Sequence, residues 1–558
     1  MLKPTKMTAV AKETIKETER LSITTEIQIT HGHREPSTSL EGALKHLLGS
    51  ILGLSPGQIG ADDDFFQLGG DSLRAMHLVA QARSIWMSAD ISSAWFFESP
   101  TIRALAQRLE LSSRLLPGSG PSLRPLTSSS QVNPFQANEL LNSCGLQKSD
   151  LEGGLIRATS FQSKALGFKC THLVYELGQS VDYTLLEKAW ALVREKYAAL
   201  RTVYVCHQGQ AYQGFLKEVD RRIPVHSTEP LALDDYVHQF CEEAAQQVIP
   251  DGAPHFGLTR ISTTAKNLLV VQINHSLYDT ISMKRIFQEL AAAYSGSLDP
   301  RDQRDDFPEY MQLRVDHNRG QEVVAFWKRY LHGAHMTRTC FSSPGAVESE
   351  VKMVFGMMPS PKIVPRPGVT AASVLRAATA LVLSQLTGND DVVFGEIVHG
   401  RDLRLPDTDK IVGCTIAEVP TRVMIPRGGT VQDLLRHSLQ QHVRRIPYET
   451  LDIEDIIRMA TSWPLDTKFG VILVVESPDA YPRMNLDGQE STPKPFFHGL
   501  LHDVHIQLNL DQDTPSLMVL GPSSLISLDM ANILAKKLVI CMEQLNSTSE
   551  KPLASVQM

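Results

Sequence analysis

A Ser-, Pro- and Gly-rich stretch from Leu116 to Ser130, LPGSGPSLRPLTSSS, limits what this chain can fold into more than any other feature, because it divides the sequence into parts with different periodicities. Such a composition favours turns and a flexible tether over a packed element. Before it run short helical patterns; after it, strand and helix patterns alternate to the end. With 558 residues the chain is also too long for one ordinary core, and three or four folding units are expected. The pattern predicts a polar, disordered leader over 1–37, a helical unit over 38–112, a linker over 113–154, and an α/β unit over 155–550 in two lobes, about 155–335 and 336–550.

Composition excludes several function classes. A formal charge of −8 and a pI near 6.2, with no long basic tract, give no electrostatic footprint for nucleic acid. Cys144, Cys170, Cys206, Cys241, Cys340, Cys414 and Cys541 are scattered, with no C-x-x-C pair and no histidine cluster at ligand spacing, so they read as reduced thiols and no metal site is expected. The opening MLKPTKMTAVAKETIKETER carries charges where a signal peptide needs an apolar core, and no run approaches the ~18 apolar residues of a membrane span. A cytoplasmic protein without membrane partners is the expectation.

In the first unit, Leu40, Ala43, Leu44, Leu47, Leu48 and Ile51 repeat at helical spacing, with Ser39 as the expected N-cap and Gly53 as the stop. Next comes Asp62-Asp63-Asp64-Phe65-Phe66-Gln67-Leu68-Gly69-Gly70-Asp71-Ser72-Leu73, leading into a second helical run through Ala75, Met76, Leu78, Val79 and Ala82. Two glycines permit a tight turn, so Ser72 falls at the positive end of a helix, a place that favours an attached phosphate. Alone, Gly-Gly-Asp-Ser reads equally as a turn with an N-cap. With Trp95-Phe96-Phe97-Glu98-Ser99-Pro100-Thr101-Ile102 and Leu105-Ala106, however, the string over about 39–111 closely resembles the peptidyl carrier domains of nonribosomal peptide synthetases. That resemblance implies a four-helix bundle with helices at about 72–86 and 100–110, and 4'-phosphopantetheine carried covalently on Ser72. The bundle would deliver a thioester substrate rather than perform the chemistry.

The second unit centres on an apolar strand pattern from Leu268 that ends in Asn274-His275-Ser276-Leu277-Tyr278-Asp279, followed by an amphipathic helix through Ile281, Ile286, Phe287, Leu290 and Tyr294. An imidazole at a strand end, with a pKa near ~6.5, can take the proton of an attacking amine or hydroxyl. The blander alternative has His275 closing a strand and Asp279 capping the next helix. Strands are expected near 169–177, 201–206, 211–216, 257–262, 267–273, 392–398, 411–423 and 469–475. Helices are expected over 183–199, 371–386, 431–445 and 528–546.

Several separated stretches of this unit resemble a nonribosomal peptide synthetase condensation domain, in the expected order over about 155–545. They are Ser160-Phe161-Gln162, Lys196 to Thr202, Asn274 to Asp279, Phe394-Gly395 with Gly400-Arg401-Asp402, Ile411-Val412-Gly413 with Pro420 and Arg422, and Ile446-Pro447-Tyr448-Glu449. The resemblance implies a fold with two chloramphenicol-acetyltransferase-like lobes and a tunnel at their junction. His275 would be catalytic, Asp279 structural and paired with Arg201, and Asn274 supporting. Asn274 stands where the family has the first His of its pair, a change found in fungal terminal domains, and Thr280 stands where it has Gly, which would narrow the tunnel.

The sequence is expected to hold no acceptor carrier after the second unit, and no thioesterase-like G-x-S-x-G elbow is apparent, so hydrolytic release by that route is not expected. The expected function is therefore a terminal, releasing condensation in which an amine or hydroxyl of the tethered peptide itself attacks the thioester and the product leaves as a macrocycle, lactam or ester; a free amine or alcohol in trans fits the sequence equally well. Alternatives are elongation with a carrier in trans, a docking module without catalysis, and kinship with soluble acyl-CoA acyltransferases. A phosphopantetheinyl transferase and upstream synthetase modules with an adenylation domain are the implied partners.

Overall fold

The computed structural model describes residues 34–86, 91–115, 134–220, 222–298, 305, 307–339, 341, 352–364, 369–403, 405, 407–476, 481–496, 503–510, 514–547 and 550–556. Most of the expected leader, and residues 116–133 of the expected linker, lie outside them.

Among its described residues the carrier unit has four α-helices: α1 (Ser39–Leu52), α2 (Ser72–Trp86), α3 (Ala94–Glu98) and α4 (Ile102–Leu115). Thr38, rather than Ser39, is the N-cap of α1. Its hydroxyl accepts from Glu41 N while Glu41 reaches back to the cap, because a capping box needs an acid three residues on. Gly53 ends the helix in a left-handed conformation. The string Gly53-Leu54-Ser55-Pro56-Gly57 matches a nucleophile elbow by letter only, since a helix end and a 3-10 turn hold it rather than a strand. Leu44, Leu48, Phe65, Phe96, Ile102 and Leu105 fill the core.

Residues 134–154, expected as linker, are partly folded onto the second unit. Helix Pro134–Ser143 buries Leu140 and Leu141 with Leu151, Leu155, Val203 and Val205, because its apolar residues match the face of a small sheet. That sheet has strand order β1-β4-β3, from β1 (Ile156–Arg157), β3 (Thr202–His207) and β4 (Gln210–Phe215).

The N-lobe sheet has order β14-β2-β7-β6-β5, with β2 (Thr171–Leu177), β5 (Val225–Ser227), β6 (Phe256–Ser262), β7 (Asn267–Ile273) and β14 (Lys494–Phe496). Leu269, Val271 and Ile273 of β7 join the core under helices Tyr183–Lys196 and Thr280–Tyr294. Leu268 and Val270 face helix Leu233–Gln246 on the other side. Cover on both faces explains why this strand is a continuous apolar run. Strand β14 arrives from the second half of the chain and pairs with β2, so the lobes are not contiguous in sequence.

The C-lobe sheet has order β10-β9-β11-β15-β16-β8. Its strands are β8 (Met353–Pro359), β9 (Asp391–Val398), β10 (Ala417–Met424), β11 (Val471–Glu476), β15 (Val504–Asn509) and β16 (Ser516–Pro522). One face packs on helices Ala371–Thr387, Val431–Arg445 and Leu528–Ser547 through Phe394, Val471, Leu473, Ile506, Leu508, Leu517 and Val519. On the opposite face, Val393, Ala417 and Val419 are covered by Trp327, Ile456 and Trp463.

The carrier sits on the C-lobe. The Arg83 guanidinium donates to the backbone oxygens of Asp402 and Leu403. Asp402 accepts from Ser92 Oγ at 2.9 Å and from Ser93 N at 3.1 Å. His77 Nδ1 lies 3.3 Å from Asp409 Oδ2, and Phe97 meets the His442 ring edge-on at 5.6 Å. Ala94 joins Leu439, Val443 and Ile446 in a small apolar patch. The contact is a polar rim around an apolar centre, as in interfaces that form and release.

Candidate active site

Strand β7 ends at Ile273, and the chain turns through a 3-10 turn, His275–Leu277, before helix Thr280–Tyr294. Asn274 makes the turn. Its Oδ1 accepts from Ser276 N at 2.9 Å, its Nδ2 donates to Phe168 O at 3.1 Å, and its backbone N donates to His255 O at 3.0 Å. One amide supplies both a donor and an acceptor in a position only 1% exposed, so its nitrogen and its oxygen both hold the loop. The carbonyl of Ser276 accepts from Tyr204 Oη at 3.0 Å and Gln162 Nε2 at 3.2 Å.

The His275 ring is held on two sides. Tyr278 stacks on it at 4.7 Å with planes 19° apart, and Phe161 meets it edge-on at 5.2 Å. Nδ1 lies 3.2 Å from Tyr278 O. A carbonyl can only accept, so Nδ1 carries the hydrogen and Nε2 keeps its lone pair in the neutral ring. Burial pushes the imidazole below its ordinary value, opposed in part by the Tyr278 carbonyl and the Asp279 charge. The ring is thus poised as a neutral proton acceptor at Nε2.

Asp279 does cap the following helix: Oδ1 accepts from Ser282 N at 2.8 Å. It also binds across the lobes. Arg401 Nη2 donates to Asp279 Oδ2 at 2.6 Å, and Thr415 Oγ1 donates to the same oxygen at 2.8 Å. Burial raises the Asp279 carboxyl, but Arg401 and Ser282 outweigh it and hold the group below the usual carboxylate range. Arg401 itself is 0% exposed and spends Nη1 on Thr408 O and Ile411 O. Gly400 before it has φ +64°, and a Cβ there would stand 2.1 Å from Thr415 O, so only glycine lets the two strand ends approach.

The expected partner, Arg201, is elsewhere. Its guanidinium donates to Arg194 O and Leu216 O and pairs with Glu152, closing the small β1-β4-β3 sheet. Its place at the start of β3 commits it to that sheet. Thr280, for its part, is the first residue of its helix and is absent from the positive-φ positions, so no left-handed backbone is required there. A second tie between lobes joins Lys164 to Glu418 at 2.9 Å and Asp503 at 2.7 Å.

At the carrier, Ser72 opens α2 and Arg74 N donates to Asp71 Oδ1 at 2.8 Å. A Cβ on Gly70 would lie 2.4 Å from the Phe65 ring, so the turn before Ser72 is closed tightly onto the core. A serine at the first position of a helix, behind a tight glycine turn, fits a linked phosphate. His275 and Asp279 are brought together with Asn274, and Ser72 lies on the separate carrier bundle. Arg401, Thr415, Ser282 and Tyr278 were not assigned roles from sequence; of these, Arg401 and Tyr278 carried a signal, lying inside the Gly400-Arg401-Asp402 and Asn274-to-Asp279 strings.

Comparison with known proteins agrees with this arrangement. Residues 170–490 match the condensation domain family and residues 42–109 the phosphopantetheine attachment site family. The nonribosomal peptide synthetase fmqC of Aspergillus fumigatus is 38% identical over 94% of this chain and 45% of its own length. The nonribosomal peptide synthetase lenA of Aspergillus lentulus is 31% identical over 78% of this chain and 10% of its own. The chain thus spans less than half the length of these curated relatives. A crystal structure described as CT is 25% identical, covers 78% of this chain and 100% of that one, and gives a TM-score of 0.67. The starter condensation domain of rhizomide synthetase RzmA, at 14% identity, 73% and 99% coverage and a TM-score of 0.59, shares the fold. With a four-helix carrier that takes 4'-phosphopantetheine on a serine and a two-lobed acyltransferase-type catalyst behind it, this chain belongs to the condensation-domain family of nonribosomal peptide synthetases.

Proposed function

We propose that this chain releases a peptide carried on Ser72 by attack of an amine or hydroxyl of that peptide on its own thioester, giving a macrocycle, with His275 as the proton acceptor. The observation that carries the reading is the neutral His275 ring, its Nδ1–H committed to Tyr278 O and its Nε2 left with a lone pair, on a loop clamped between lobes by Asp279 and Arg401. The carrier resting on the same C-lobe supports delivery within one chain, because a tethered substrate has a high effective concentration at a neighbouring site.

Phosphopantetheine on Ser72 supplies a thiol on a long arm, which holds the acyl group as a thioester. The rest belongs to the chain's own residues. His275 Nε2 accepts the proton of the nucleophile as nitrogen or oxygen approaches the substrate's carbonyl. Asp279 does not touch substrate; it positions the loop through Arg401, Thr415 and Ser282. Asn274 holds the turn in the place of the family's first histidine. The substrate's acyl carbon exchanges sulfur for nitrogen or oxygen, and the proton lost by the nucleophile ends on the departing sulfur, so no outside acid or base is consumed.

We take the domain limits as 38–112 for the carrier, 113–154 for the connection and 155–550 for the condensation unit, and the setting as cytoplasmic, without nucleic-acid or membrane partners. The charge of −8 supports the former exclusion. Among the described residues no helix is long and apolar enough to cross a membrane. A phosphopantetheinyl transferase and upstream synthetase modules are required by the carrier itself.

The test is to load Ser72 enzymatically with a synthetic peptidyl-pantetheine and follow the released mass. A cyclic product from this chain alone, lost in His275→Ala, supports the reading. A product formed only when a second loaded carrier is added assigns the chain to elongation. Equal release by wild type and His275→Ala removes the catalytic role of the imidazole.

A further inference from the structure

Helix Ser160–Leu166 stands between the turn that bears His275 and the C-lobe. Its Gln162 is fully buried, and neighbours orient the amide. Thr159 N donates to Oε1 at 3.0 Å, which a backbone N–H can do only to an oxygen, so Nε2 faces the other way. There Nε2 lies 3.1 Å from Gln213 Oε1, 3.1 Å from Tyr204 Oη and 3.2 Å from Ser276 O. Gln213 Nε2 returns a bond to Gln162 Oε1 at 3.0 Å. Gln213 therefore takes one hydrogen of Nε2, and the other is left for Ser276 O, which Tyr204 Oη also serves at 3.0 Å.

Ser276 follows His275 and is held through its main chain, since its Oγ is buried with no hydrogen-bond partner. Asn274 Oδ1 fixes the N–H on one side. The carbonyl on the other side is left to Gln162 and Tyr204, and a buried carbonyl stripped of its donors is costly enough to make the turn rearrange. Phe161, next to Gln162 on the helix, meets the His275 ring at 5.2 Å. Two consecutive side chains thus hold the ring and the residue beside it.

The helix is itself seated on the other lobe. Phe161 and Ala165 pack with Cys414 and Ile416. Lys164 Nζ pairs with Glu418 at 2.9 Å and with Asp503 at 2.7 Å, and both acids are only 7% exposed, so this is not a screened surface pair. Cys414, Ile416 and Glu418 are alternate residues of the segment that becomes β10. The Asp279–Arg401 pair ties the far end of the same turn to the C-lobe. The C-lobe therefore grips the His275 turn at both ends, once through Arg401 and once through this helix.

We infer that Gln162 is a positioning residue for His275, and that helix Ser160–Leu166 transmits the setting of the C-lobe to the ring, so that the imidazole is aimed only while the Lys164 tie holds. The inference rests on His275 being the proton acceptor. Gln162 and Tyr204 act on the ring through the Ser276 carbonyl and touch no substrate.

The test uses the full chain, loaded on Ser72 with a synthetic peptidyl-pantetheine, with single-turnover release and nitrogen-15 histidine spectra as readouts. Tyr204→Phe, which removes one donor to Ser276 O, slows release about fivefold, the effect of one neutral hydrogen bond, and Gln162→Met slows it further. In both, the His275 signals depart from those of wild type. Lys164→Met changes the same signals and slows release severalfold, and Lys164→Arg restores both. Denaturation midpoints identify a variant that fails to fold; if Gln162→Met is one, Tyr204→Phe carries the test. Wild-type release and unchanged His275 signals in folded Tyr204→Phe and Gln162→Met make the network a support of the fold only and overturn the inference. The same result in Lys164→Met overturns the link to the C-lobe. The spectra need no turnover, so they decide even where the loaded peptide is not released. Failure of the catalytic reading is separate: there, His275→Ala releases the peptide as fast as wild type.

Discussion

Replacing Arg401 with methionine removes the charge that faces Asp279 while keeping a long apolar stem. The guanidinium bonds Asp279 Oδ2 at 2.6 Å, Ser282 Oγ at 3.2 Å, Thr408 O at 2.7 Å and Ile411 O at 2.9 Å, and none of it reaches solvent. Breaking such a buried pair from one side costs about 3–5 kcal/mol, because the remaining carboxylate is left charged in a desolvated place. The pH dependence has a definite sign. In the wild type the folded Asp279 carboxyl lies below its unfolded value, so its contribution is present above about pH 4 and is lost as pH falls through the folded value. Without Arg401, burial dominates and the folded value rises above the unfolded one, so the penalty is absent in acid and grows as pH increases. The stability gap between wild type and Arg401→Met therefore widens from about pH 4 to pH 7. Urea titrations at a series of pH values, read by tryptophan fluorescence, measure it. Adding Asp279→Asn to Arg401→Met recovers at least about 2 kcal/mol, whereas Arg201→Met shows no coupling to Asp279→Asn. Additivity of Arg401→Met and Asp279→Asn within about 0.5 kcal/mol, or a gap independent of pH, refutes the clamp.

Three further outcomes are expected. Asn274→Leu, which strands Phe168 O and Ser276 N in a buried site, destabilises by about 2–3 kcal/mol and slows release, while Asn274→His retains more of both; a neutral effect in denaturation and turnover contradicts the role of the amide. Nitrogen-15 histidine spectra, assigned with His275→Ala, show His275 neutral with its hydrogen on Nδ1 down through the ordinary imidazole range; a midpoint at or above about 6.5 is the adverse result. Asp402→Ala, which removes the acceptor of Ser92 and Ser93, lowers the rate of release from the tethered carrier severalfold and leaves the denaturation midpoint of the condensation unit nearly unchanged; equal rates would mean that this contact does not serve delivery.

Legibility in the sequence depended on how local the determining signal was. Strand Asn267–Ile273 and helix Val431–Arg445 stand where the periodicity places them, and helix Ser72–Trp86 where the carrier resemblance places it, because the apolar pattern of each is local. The His275-to-Asp279 step was readable for the same reason. The partner of Asp279 was not: the ion pair spans 122 positions, and nothing local ranks Arg401 over Arg201, although both sit in family-like strings. Helix Pro134–Ser143 was hidden by its Ser- and Pro-rich neighbours, and β14 by being three residues long.

Gly400, Arg401 and Asp402 form one short turn whose consecutive side chains look in opposite directions, Asp402 out to the carrier and Arg401 in to the loop that bears His275. Chimeric synthetases that exchange carriers while keeping the catalyst would cut across this turn. A foreign carrier that seats poorly on Asp402 disturbs the backbone next to the Arg401–Asp279 pair, so under the proposed mechanism the graft suffers in chemistry as well as in delivery. Compatible exchanges are those in which the residues corresponding to Arg83, Ser92 and Ser93 travel with the incoming bundle.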